Sequence, residues 1–171
     1  MTIVSTRARG VFVGLGSNLD DPHARLRDAL VALDRIPETR LLRASRCYRT
    51  PPWGVVEQPD FLNMVIELET GQPPQRLVPQ LLELEQAAGR HRGPERWGPR
   101  RLDLDLLIHG DSIIDVPGCR VPHPRLHERA FVMVPLAELA PDLVVPGMGT
   151  VRKLLAALPR AEVEAVRVEP T

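Results

Sequence analysis

Lysine, cysteine and asparagine are nearly missing from this chain. Its 171 residues include one lysine, Lys153, two cysteines, Cys47 and Cys119, and two asparagines, Asn18 and Asn63. Two cysteines make no disulfide framework, and neither sits in a Cys-x-x-Cys metal or redox pattern. Net charge is missing too. The 22 basic side chains equal the 22 acidic ones, so no global field steers the chain toward nucleic acid or a membrane surface, and any anion recognition must be local. No stretch approaches the roughly 20 apolar residues of a membrane span, and Met1 to Gly10 lacks the apolar core of a signal peptide. The expectation is a reduced, cytoplasmic protein with no membrane or nucleic-acid partner. No repeat, low-complexity segment or linker divides it, so one domain, 1–171, is the natural reading, and nothing demands more than a monomer.

What is present centres on Arg96 to Leu106. Leu102, Leu104, Leu106 and Ile108 alternate with Asp103 and Asp105, the period of a half-buried strand. The leucines then share the core face, and the two carboxylates project from the other face about 7 Å apart. Like charges that close favour protonation unless a cation sits between them, and hard divalent ions take oxygen ligands. Arg90, Arg92, Arg96, Arg100 and Arg101 lie just upstream and suit phosphate oxygens. A paired-carboxylate magnesium site beside anion-binding residues points to a magnesium-nucleotide enzyme. An isolated Asp-x-Asp is more often a plain exposed strand face beside a solvated basic loop; the arginine cluster weighs against that here.

Elsewhere the pattern predicts a first strand over Val11 to Leu15 and a glycine-containing turn into a helix capped at Asp21-Pro22, with Leu26, Ala29, Leu30 and Leu33 at helical spacing. A second strand is predicted over Leu41 to Arg49, then an irregular proline-rich loop, Thr50 to Pro59. Phe61 to Glu69 alternates as a third strand, with Leu62, Met64, Ile66 and Leu68 inward and Phe61 and Asn63 outward. A second helix starts at Pro73-Pro74 and ends at Gly89, with Pro79 expected to kink or delay it. Residues 111 to 124 read as irregular, Leu126 to Leu139 as a helix broken near Pro135, 151 to 158 as a short helix, and 163 to 168 as a possible strand. Strand, helix, strand, strand, helix, strand suggests an α+β, ferredoxin-like βαββαβ sandwich: an antiparallel sheet with helices on one face and C-terminal additions. The open face would gather Phe61, Asn63, Asp103 and Asp105, with Gly14 and Gly16 keeping it low enough for a ligand.

Five elements in order carry a family resemblance: Gly14-Leu15-Gly16-Ser17-Asn18, Tyr48-Arg49-Thr50-Pro51-Pro52, Gln58-Pro59-Asp60-Phe61-Leu62-Asn63, Arg96 to Asp105, and Val121-Pro122-His123-Pro124. With them the chain resembles the 6-hydroxymethyl-7,8-dihydropterin pyrophosphokinases of folate biosynthesis, over a core of about 10–146, leaving 147–171 as an extension. The resemblance implies transfer of diphosphate from ATP to the pterin hydroxymethyl group, with AMP leaving. It implies that Asp103 and Asp105 hold two Mg2+ ions and that Arg90 and Arg100 act with them in catalysis. It implies pterin contacts from Thr50, Pro51, Pro52, Trp53, Phe61, Asn63 and Phe131, the two phenylalanines sandwiching the ring. For ATP it implies Glu85, Arg90, Arg92, Arg96, Trp97, Arg100, Leu106, His123 and Arg129. Trp53, Phe61, Gly93 and Pro124 depart from the enterobacterial pattern, away from the aspartate pair and Asn63.

Two other functions share parts of this description. A single-stranded RNA-binding module of the same fold would stack bases on an aromatic sheet face, but needs a basic surface where this face carries aspartates. A magnesium-dependent phosphohydrolase also wants paired carboxylates, yet no nucleophile or water-activating base lies near them in the sequence.

Overall fold

A computed structural model describes residues 7–52, 57–89 and 101–170. Strand β1 (Ala8–Ser17) leads into α1 (Pro22–Asp34), whose cap is the predicted one: the Asp21 carboxylate accepts from the Ala24 amide at 3.2 Å, and proline occupies the first turn. Then follow β2 (Thr39–Ala44), β3 (Tyr48–Thr50), β4 (Phe61–Thr70), α2 (Pro74–Ala87) and β5 (Asp103–His109). Strand β4 pairs with β1, and β1 with β5; β2 and β3 pair with successive parts of the other side of β4, all antiparallel. The fold is thus a mixed α/β arrangement around an antiparallel sheet.

The predicted second strand is two. Ala44 pairs with Ile66 and Tyr48 with Asn63, so four steps along one strand match three along the other. That extra residue is a bulge, pinned by the Ser45 hydroxyl accepting from the Val65 amide at 3.0 Å. It turns Tyr48 onto the same face as Asn63.

One face of the sheet behaves as the alternation predicts. Val11, Val13, Leu15, Leu62, Met64, Ile66, Leu68, Leu102, Leu104 and Leu106 pack against Leu26, Ala29 and Leu33 of α1 and Leu77 and Leu81 of α2. Helix α2 runs through Pro79 without ending there.

Helices on one face only is incorrect. The opposite face carries a second buried cluster in which Phe12, Val65, Leu107 and Ile108 meet Val132, Met133 and Leu136 of α3 (Ala130–Leu139), with Val151 of α4 (Val151–Ala156). Ile108 belongs there, not with the leucines. The β1–β5 register slips between Phe12 and Val13, so Leu106 and Ile108 fall on opposite faces and Leu107 joins Ile108. A local bulge is invisible to a period-2 count.

Residues expected to be irregular form a hairpin, β6 (Ile114–Val116) and β7 (Cys119–Val121), turning through Gly118 at φ 81°. The break expected at Pro135 lies earlier. Leu126–Glu128 is a single 3-10 turn, Arg129 is extended, and α3 then passes through Pro135. A two-strand ribbon, β8 (Val144–Val145) and β9 (Gly149–Thr150), precedes α4, and α5 (Arg160–Glu164) and β10 (Arg167–Val168) finish the chain. Strand β10 pairs with β3 at the sheet edge opposite β5. Among the described residues no helix is long and apolar enough to cross a membrane.

Candidate active site

Four strands bring the chemistry together in one row. Asp103 on β5 is paired with Gly16 on β1, Gly16 with Asn63 on β4, and Asn63 with Tyr48 on β3. Asp105 sits one step along, opposite Gly14. Directly opposed residues share a face, so both carboxylates and Asn63 lie on the same side of the sheet, across glycine. Gly16 is glycine for want of room. A Cβ there would stand 2.8 Å from Asn63 Oδ1, closer than side chains tolerate, so the bare backbone lets the Asn63 amide lie flat over β1.

Asn63 is buried, and its Nδ2 donates to the Thr50 hydroxyl at 2.7 Å. That bond joins two predicted pterin contacts. Phe61 pairs with Thr50 at the start of β4 and is half-buried. Pro51 is exposed and Pro52 half-buried, on the chain leaving β3. Asn18, at the end of β1, holds the far side of this loop: its amide donates to Pro59 O at 2.9 Å and to Gln58 Oε1 at 3.0 Å. A second anchor was not legible in the pattern. The Arg101 carbonyl accepts from the Ser17 hydroxyl at 2.5 Å, and its guanidinium pairs with Asp20 at 2.8 Å, tying the lead-in of β5 to the end of β1.

Arg129 reaches the aspartates from the extended turn before α3. Its guanidinium is 3.7 Å from Asp105 Oδ2 and lies 5.7 Å from the centre of the Phe131 ring, a cation–π distance. Burial lowers its pKa below the usual guanidinium range, with the Asp105 charge opposing that shift. Phe131 is half-buried against the second core cluster, so packing and ring presentation are both open to it.

Beyond the β5 edge lies a cavity of about 420 Å³, between α2 and the β6–β7 hairpin. Glu85, Leu106 and His123, predicted for nucleotide, and Asp105, predicted for metal, line it together with Leu82 and Arg120. Glu85 is only 1% exposed, and its Oε1 accepts the Leu104 amide at 2.7 Å. It therefore fixes the backbone between the two aspartates. His123 is attached to β5 by its amide, which donates to Leu107 O at 2.8 Å. Burial, then Arg129 and Arg125, pushes its imidazole down to about 4 from an ordinary 6.5. The ring is neutral, and Nδ1 accepts the Arg125 amide at 3.1 Å, which leaves the proton on Nε2. His123 thus offers the cavity a neutral hydrogen-bond donor, not a positive charge. The role of Arg125 in choosing that tautomer carries no sequence signal, because its backbone does the work.

Among the described residues no group of three His, Cys, Asp or Glu side chains converges as a metal cage. The aspartate pair does fit a hard divalent ion. Its carboxylates are partly exposed on one face, the Asp105 side chain 44% so, and a guanidinium is already drawn to one of them. Trp53, Arg90, Arg92, Arg96, Trp97 and Arg100 lie outside the described residues.

Comparison with known proteins bears on this arrangement. Residues 12–141 match the family model described as 7,8-dihydro-6-hydroxymethylpterin-pyrophosphokinase (HPPK). A Pseudomonas aeruginosa protein named 2-amino-4-hydroxy-6-hydroxymethyldihydropteridine pyrophosphokinase is 46% identical over 154 residues, covering 90% of this chain and 94% of its own. Equally named proteins of Methylorubrum extorquens and Haemophilus influenzae are 43% and 40% identical, covering 91% and 84% of this chain and 97% and 89% of theirs. A solved HPPK-DHPS in complex with substrates has a similar fold, with TM-score 0.66 at 11% identity, over 89% of this chain and 43% of that longer one.

Proposed function

Since the chain belongs to the 7,8-dihydro-6-hydroxymethylpterin-pyrophosphokinase family, an enzyme family of folate biosynthesis, we propose that it transfers diphosphate from ATP to the hydroxymethyl group of 6-hydroxymethyl-7,8-dihydropterin, through the residues brought together around Asp103 and Asn63. The observation that carries the assignment of roles is the row Asp103–Gly16–Asn63, which sets a carboxylate pair and an amide side by side on one sheet face. The strand order, β5-β1-β4 followed by β2 and β3, supports a ferredoxin-like sheet elaborated by α3, α4 and the C-terminal strand. One catalytic domain acting as a cytoplasmic monomer is part of the same reading.

At the pterin end, the Asn63 amide both donates and accepts, matching the alternating groups of the heterocycle's amide edge. Its bond to Thr50 holds it in register, so little ordering remains to be done on binding. Phe61 and Phe131 stack on the ring's two sides, with Pro51, Pro52 and Trp53 closing the loop around it. The hydroxymethyl group then points along the row toward Asp103.

At the nucleotide end, the cavity beyond β5 takes ATP. Asp103 and Asp105 would hold two Mg2+ ions, which supply charge neutralisation across the triphosphate when bound. Glu85 keeps the backbone between them still, through the Leu104 amide. His123 Nε2 donates to a phosphate oxygen without adding charge, while Arg129 exchanges its pairing with Asp105 for phosphate or adenine-end contacts. Arg90, Arg92, Arg96 and Arg100 bind phosphate, and Trp97 adds a further nucleotide contact. The pterin oxygen attacks the β-phosphorus, the bond to the α-phosphate oxygen breaks, and AMP leaves. Alignment and electrostatic stabilisation do most of the catalysis.

The test is to incubate the protein with ATP, Mg2+ and the hydroxymethyl pterin and to separate the nucleotides. Pterin-dependent AMP without ADP is the expected product. Inorganic phosphate released regardless of pterin would instead indicate a hydrolase.

A further inference from the structure

We propose that Glu169, just after the C-terminal strand, is a positioning residue for the pterin, clasping the edge strand that carries Thr50. This rests on the pterin site proposed above. Glu169 and β10 lie past 141, outside the stretch matched to the family, whereas the residues they grip lie within it. Strand β3 is only three residues long and would be the bare edge of the sheet on this side. Strand β10 covers it, with Arg167 opposite Arg49 and Val168 opposite Tyr48, and the Glu169 amide donates to Cys47 O at 2.9 Å. The Glu169 carboxylate then receives Arg49 fork to fork, Nε and Nη2 each at 2.7 Å, while His23 Nε2 on the first turn of α1 stands 3.4 Å away. The acid side chain is 12% exposed although Arg49 and His23 are each 47% exposed, so it is enclosed where β3, β10 and α1 meet. The hydrogen bonds from Arg49, with its charge, hold it below the usual carboxylate range.

Arg49 is flanked in sequence by the two residues whose inward side chains matter. Tyr48 opposes Asn63, and Thr50 accepts the Asn63 amide. Gripping Arg49 from outside therefore fixes the backbone of Thr50 against β4 from both sides. Preorganisation of this kind lowers the ordering cost of binding without touching the ligand. The sheet order makes the effect one-sided. The clasp is at the β3 edge and the proposed nucleotide cavity at the β5 edge, with β4 and β1 between them.

The experiment measures KM for pterin and for ATP in wild type, Glu169→Ala, Glu169→Gln and Arg49→Lys, with amide hydrogen exchange on each. Glu169→Ala is expected to raise the pterin KM about fivefold and leave the ATP KM and kcat near wild type. Glu169→Gln, which keeps one oxygen acceptor, recovers part of the loss, whereas Arg49→Lys, lacking the fork, does not. Exchange should quicken at residues 48–50 and stay unchanged at 103–109. A wild-type pterin KM in Glu169→Ala, or pterin and ATP KM rising together, overturns the proposal. A wild-type enzyme that makes no pterin-dependent AMP overturns the functional reading instead, and exchange then decides the clasp: unaltered protection of 48–50 in Glu169→Ala overturns it.

Discussion

Toward one end of the sheet, β1, β4 and β5 present Gly14, Gly16, Asn63, Asp103 and Asp105; toward the other, on the same face, they present Phe12, Val65, Leu107 and Ile108 to α3 and α4. The backbone is continuous across the two halves. What differs is whether side chains fill the space above the strands. In one half they do, close-packed and dry. In the other, glycine and short polar residues leave room, and Arg129 and Phe131 approach from the second helix layer. Binding surface on a sheet face therefore depends on withholding large side chains locally, while the packed half keeps the same strands rigid.

Substitutions can break this contrast from either side. The largest effect is expected from Asp105→Ala, which should reduce kcat by about 10³-fold or more while the melting temperature hardly moves, because this side chain is partly exposed and its proposed task is to hold metal, not the fold. Near-normal turnover would refute its assignment to metal. Leu107→Ala in the packed half should do the reverse: with the side chain 1% exposed, it costs about 2–5 kcal/mol in denaturant unfolding, and the folded fraction keeps its kcat.

His123 tests the border through pH. Its folded pKa is lowered from 6.5 to about 4, so the unfolded chain takes up a proton first as pH falls. The stability associated with the neutral ring is present above about 6.5 and is lost as pH falls toward 4, by up to about 3 kcal/mol. Denaturation curves across that window should be shallower in pH for His123→Gln than for wild type.

Two glycines give the finest comparison. Gly16→Ala should raise the pterin KM about tenfold, since a Cβ 2.8 Å from Asn63 Oδ1 displaces that amide. Gly14→Ala meets the Leu107 side chain, nearest at Cδ1, 3.5 Å, an ordinary contact, and should change stability by no more than about 0.5 kcal/mol. Equal effects at the two positions would show that close approach to Asn63 is not what Gly16 provides.

The main elements were legible because they depend on local periodicity. The caps of α1, the inward leucines of β4 and β5, and the placing of Asp103, Asp105 and Asn63 on one face all follow from counting by two or by 3.6. The bulges at Ser45 and beside Leu107 were not legible, since an extra residue in a strand declares itself only against its partner. The covering of the second face was missed for a related reason. The apolar residues of α3 were visible as a helix, but nothing local says which surface they will cover. Glu85 looked acidic and site-adjacent; that it holds the Leu104 amide depends on α2 lying beside β5.

Residue order alone singled out side chains suited to phosphate, metal and a flat heterocycle, and put Asn63, Asp103 and Asp105 on their strands, because alternation and turn chemistry are short-range. Tertiary structure decided the rest: that Gly16 lies beneath the Asn63 amide, that His123 is a neutral donor, and that a strand near the C-terminus grips the edge beside Thr50. Each depends on atoms far apart in sequence meeting within hydrogen-bond distance, and only packing brings them there.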